Sequence, residues 1–127
     1  MSNTLYIHEI HHLHSEWNSV LDLTQDEITS FENRLEEIAK ANTGKEILAQ
    51  VEHFQNQFIR QKEVIDALQH DIHEDAMRIA ENVKENNVAV EHRRMEENFR
   101  LKDGMQTFQK IFNELRAEYM LFMAKIL

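Results

Sequence analysis

The chain contains no cysteine and no proline, and its 127 residues include only two glycines, Gly44 and Gly104. Without cysteine there can be no disulfide, no thiolate nucleophile and no cysteine-ligated zinc or iron–sulfur centre. Proline and glycine form the tight turns and strand ends of sheet proteins, so their scarcity argues against a β fold. Long apolar runs are missing as well: no stretch of about 18 apolar residues is available to cross a bilayer as a helix. Positive charge is in short supply, with 14 Lys and Arg against 23 Asp and Glu and a net charge of −9 with histidines neutral. That balance disfavours a nucleic-acid partner, because phosphate backbones are bound through basic patches that release counterions. The one basic stretch, Arg93, Arg94, Arg100 and Lys102, is interleaved with Glu91, Glu96 and Glu97 and reads as a solvated helix face. The opening Met1-Ser2-Asn3-Thr4 lacks the basic segment of a secretory leader, so a cytoplasmic location with no membrane association is expected.

Helix formers dominate what is present, and 42% of the residues are hydrophobic, enough for one core. The length suits a single domain over 1–127. In the first segment Ile10, Leu13, Trp17, Val20 or Leu21, Ile28, Phe31, Leu35 and Ile38 recur at spacings of three and four, with Thr24 as a polar interruption. This is the period of a coiled-coil seam. A second segment repeats it with Val51, Phe54, Phe58, Ile65, Leu68, Ile72, Ile79 and Val83, interrupted by Gln61 and Asp75. A third carries Val88, Met95 and Phe99 on one stripe, then Leu101, Met105, Phe108, Phe112, Leu115, Tyr119, Phe122 and Ile126 on another, a change of phase near Gly104.

Two joints separate the segments. Thr43-x-x-Glu46 is a capping box that predicts Thr43 as N-cap, Gly44 as the first helical residue and Asn42 as the close of the preceding helix. Asn86-Asn87 predicts the second joint, since asparagine both ends and begins helices. A second capping box, Thr24-x-x-Glu27, conflicts with the unbroken stripe across it; the stripe favours one continuous helix. The expected fold is an all-α, elongated antiparallel three-helix bundle with helices at about 4–41, 44–86 and 88–127, with room for a bend near 24 and near 104. Each helix would span roughly 60 Å, so three near-equal helices bury one another's stripes from end to end. In outline this resembles a spectrin-type repeat, with Trp17 on the first helix; the likeness is architectural and carries no family motif.

Histidine is the residue type that invites chemistry. Residues 8–14, HEIHHLH, hold His8, His11, His12 and His14, and an antiparallel register sets them beside His70, Asp71, His73, Glu74 and Asp75, with Asp103 near the same level. His8 and His12 share a helical face that Glu16 extends, and His70 with Glu74 repeats the spacing. Imidazole and carboxylate ligands suit zinc or another first-row transition metal. Glu9-x-x-His12 matches one fragment of the di-iron bundle motif. That motif occurs twice in such bundles and points inward, whereas the heptad phase sets His8, His11, His12, His70 and His73 on outward or flanking positions. His8, His12, His70, His73 and Glu74 are therefore the candidate ligands of an alternative reading, beside the plainer one of wet helix faces. His14 and His92 are expected on the seam side, partly buried, with His92 a register-fixing polar residue. Protonating all eight histidines would take the net charge from −9 to −1 (−9 + 8), so self-association should change in mild acid.

The C-terminal AEYMLFMAKIL carries a second apolar stripe, Met120, Met123 and Leu127, beside the seam residues Tyr119, Phe122 and Ile126. A helix apolar on two faces needs a second neighbour. No nucleophile, base and orienting group assemble from the chain. The sequence thus favours a non-enzymatic interaction or scaffold module without cofactor, self-associating as a dimer through its C-terminal helix, with a protein partner as a further role.

Overall fold

The computed structural model describes the backbone of residues 3–82 and 88–127, and side chains from 7 to 81 and from 95 to 127. Three helices follow one another: α1 (Asn3–Ala41), α2 (Lys45–Asn82) and α3 (Val88–Ile126). They form the all-α three-helix bundle that the periodicity predicts. The predicted joint at Asn86-Asn87 and the seam position of Val83 lie outside the described residues, as do the side chains of Val88, Glu91, His92, Arg93 and Arg94.

α1 runs unbroken through Thr24-x-x-Glu27. The Thr24 hydroxyl donates backward to the Val20 carbonyl at 2.8 Å instead of capping a new helix. Glu27 is engaged elsewhere, accepting from Arg116 Nε at 3.0 Å and Nη2 at 2.6 Å. Packing along the seam has overridden the local start signal. At the α1–α2 joint the side chain of Asn42 closes α1, its Nδ2 donating to the Ile38 carbonyl at 2.8 Å. The start of α2 falls one residue later than the capping box predicts: the first helical bond runs from Leu48 N–H to the Gly44 carbonyl at 3.0 Å. Gly44 thus takes the N-cap position, which glycine tolerates well, and Thr43 is an exposed linker residue.

The seams follow strict alternation of three and four. In α1 they are Ile10, His14, Trp17, Leu21, Thr24, Ile28, Phe31, Leu35 and Ile38, so His14 and not the half-exposed Leu13 occupies the core position. In α2 the buried residues run Val51, Phe54, Phe58, Gln61, Ile65, Leu68, Ile72, Asp75 and Ile79. In α3, Leu101, Met105, Phe108, Phe112, Leu115 and Tyr119 keep the alternation, and Met123 is buried beyond them. Upstream of Leu101 the same spacing leads to half-buried Asn98. Met95 and Phe99, expected on a seam, are instead 45% and 66% exposed. Among the described residues the α3 seam thus continues upstream of Leu101 in the same phase to a polar residue. At Gly104 α3 comes close to α2, where an added Cβ would lie 3.2 Å from Leu68 Cδ2.

The two ends of the bundle differ in chemistry. Toward the α1–α2 joint the core is aromatic: Phe58 has its ring centroid 5.5 Å from Phe31, 6.4 Å from Phe54, 6.5 Å from Phe112 and 5.6 Å from Tyr119. Burial pushes the Tyr119 phenol above its ordinary value of 10.0, with nearby Arg34 opposing. The folded chain favours the neutral phenol, so this contribution is fully present below 10.0 and is lost as pH rises through the higher folded value. Alkaline denaturation followed by circular dichroism should accordingly show a later loss of helix for Tyr119→Phe than for wild type. Coincident curves would refute the coupling.

Candidate functional site

Only one of the clustered histidines turns inward. His8, His11 and His12 are exposed on α1, and His70 and His73 are exposed on α2; Glu74 is half-buried. His12 Nε2 lies 2.9 Å from Glu16 Oε1, a surface pair one helical turn apart. Such a pair is flexible and solvated. The five candidate ligands His8, His12, His70, His73 and Glu74 therefore share an end of the bundle without converging. Among the described residues, no three His, Asp or Glu side chains are grouped to hold a metal ion. Asp71 and Asp103 line a surface groove of about 490 Å³ between α2 and α3 with Glu97, Arg78 and Arg100, and both arginines lie against Glu97.

His14, by contrast, is 5% exposed and donates or accepts at 3.0 Å between Nε2 and Oδ2 of Asp75, itself 1% exposed. The other ring nitrogen, Nδ1, is buried without a partner. The ring packs against Trp17 at 5.9 Å between centroids. Asp75 has further interactions beyond His14. On α3, Asn98 Oδ1 is also buried without a partner, and the Arg78–Glu97 contact at 3.9 Å ties α2 to α3 at this level. His14, Asp75 and Asn98 are polar seam residues at this end of the bundle, as Thr24 and Gln61 are further along. The sequence pattern marked Asp75 and Gln61 as polar interruptions and expected His14 partly buried on the seam side; it gave the stripe position itself to the apolar neighbour Leu13, and His14 is the one that takes it.

A buried histidine–carboxylate pair is also the core of general acid–base catalysis, which requires a substrate within reach of the base. Here the ring is 5% exposed and closed off from solvent, so the contact joins α1 to α2 inside the core.

The second candidate lies at the opposite end, on the last turns of α3. Met120 is 48% exposed, Leu121 65% and Leu127 80%, while Met123 is buried against the core cluster. The expected stripe of Met120, Met123 and Leu127 is thus corrected at its centre. Met123 lies next to Phe122 on the seam side, and Leu121 takes its place in the outward set. Ala117 and Ala124, both exposed, continue that face. Beside it, a groove of about 640 Å³ runs between α2 and α3, floored by Phe54 and Phe122 and edged by Ile47, His53 and Lys125.

Neither family models, characterised proteins nor solved structures give a match to this chain. The functional reading therefore rests on these two ends alone. No helix among the described residues is long and apolar enough to cross a membrane.

Proposed function

We propose that this chain is a non-enzymatic interaction module that self-associates through the C-terminal turns of α3. The observation that carries the reading is the pairing of two apolar faces on one helix: Tyr119 and Met123 are spent in the core, while Met120, Leu121 and Leu127 stand exposed on the opposite side. Exposed apolar residues scattered singly are ordinary; neighbouring ones on the outward face of a helix suit a partner. Methionine adds a side chain that adapts to an incoming surface. The rest of the chemistry supports the same reading, since the seams absorb most of the remaining apolar residues and the His14–Asp75 pair is sealed inside the bundle.

Leu121→Glu tests it. The residue is exposed, so the bundle should retain its helicity and thermal stability, while the dimer dissociation constant rises by at least about tenfold. Sedimentation velocity reads the assembly. A wild-type chain that stays monomeric up to about 0.1 mM, or a variant that dimerises as well as wild type, would overturn the proposal.

A further inference from the structure

Resting on that self-association, we infer that the partner is a second copy of this chain and that the two α3 helices pair antiparallel about a two-fold axis near Leu121. The charges flanking the apolar face decide the direction. Glu118 and Lys125 are both exposed and lie seven residues apart, hence on the same edge of the outward face. Among the described residues neither belongs to an ion pair within the chain.

An antiparallel two-fold brings like edges of the two helices together. Glu118 then stands opposite Lys125 of the partner subunit, and symmetry supplies the reciprocal pair. Such an interface is isologous and closes at two copies. The same axis sets Met120 within one residue's rise of the partner subunit's Ala124, large against small, and Ala117 likewise near the partner's Leu127. Small residues opposite large ones let the helices approach as knobs and holes do. A parallel arrangement brings unlike edges together and offers neither charge a partner. The groove floored by Phe54 and Phe122 opens along the Glu118–Lys125 edge and extends the surface available to the second copy.

Charge reversal distinguishes this register from self-association in general. Glu118→Lys alone, and Lys125→Glu alone, each set like charges opposite one another twice per dimer, and each should weaken the dimer about tenfold. The double variant Glu118→Lys/Lys125→Glu restores opposite charges at both places and should return the dissociation constant to within about threefold of wild type. Sedimentation velocity across a concentration series reads all four proteins, with circular dichroism to confirm that each is folded. If the wild type dimerises but the double variant is no better than the singles, the antiparallel register is overturned and self-association stands. A wild type that stays monomeric up to about 0.1 mM overturns both.

Discussion

Phe58→Ala is expected to destabilise the bundle by about 3–5 kcal/mol, a large share of the roughly 5–15 kcal/mol that holds a domain of this size together. Phe58 is completely buried and is the ring around which Phe31, Phe54, Phe112 and Tyr119 gather, drawn from all three helices. Removing it takes away the transfer energy of a phenyl group and leaves a cavity that three long helices cannot close without shifting along their whole length. Phe58→Leu, which keeps most of the volume, should lose much less. Urea unfolding monitored at the helix band measures both. A loss under about 1 kcal/mol for the alanine variant would mean that the aromatic end is not packed as described.

Much of this architecture was legible in the sequence. Helix content, three segments and a joint at Asn42–Gly44 followed from composition, seam spacing and turn chemistry, although the Thr43 capping box set the start of α2 one residue early. Two seam errors arose where an apolar residue sat one position from a polar one. Leu13 drew the α1 stripe away from His14, and Phe99 drew the α3 stripe away from Asn98; in both places the strict heptad was right and hydrophobicity was misleading. Met123 was misassigned for the related reason that 122 and 123 both lie near the seam, and the bundle buries the methionine more fully than Phe122. Thr24 shows the opposite lesson, since its capping signal was locally sound and yielded to the seam. Of the candidate sites, the outward position of His8, His12, His70 and His73 was readable from heptad phase, whereas the His14–Asp75 bond was not. A hydrogen bond between residues 61 apart depends on register to within one residue, which periodicity alone does not specify.

The polar end and the exposed end then divide the work of the molecule. An aromatic core at one end supplies stability without much discrimination, because apolar seams of similar size can slip by a heptad and still bury their surface. A buried polar pair cannot slip without losing its partner. His14–Asp75 joins α1 to α2 inside the core, and the surface pairs Gln69–Asp22 at 2.8 Å and Lys62–Glu32 at 3.0 Å join the same two helices from outside. α3 packs against α2, so if the first two helices lost their alignment the support of the outward Met120, Leu121 and Leu127 would change with it.

Asp75→Ala is therefore expected to be the more damaging of the substitutions in the His14–Asp75 pair, costing about 3 kcal/mol, because it leaves the His14 ring buried with neither nitrogen paired and also removes the carboxylate's other interactions. His14→Leu should cost less, about 2 kcal/mol, because it takes one partner from a buried carboxylate that has a further interaction. The informative protein is the double variant His14→Leu/Asp75→Leu. With both polar groups gone, it should recover most of the stability lost in Asp75→Ala, as apolar replacements of buried pairs commonly do. If the pair sets register, the double variant should nonetheless become less uniquely ordered. Its amide spectrum would broaden or double while the helix signal stays high, and its dimerisation would weaken although residues 117–127 are untouched. A double variant with sharp single resonances and wild-type assembly would reduce His14–Asp75 to a tolerated polar pair and place the whole burden of alignment on the aromatic end.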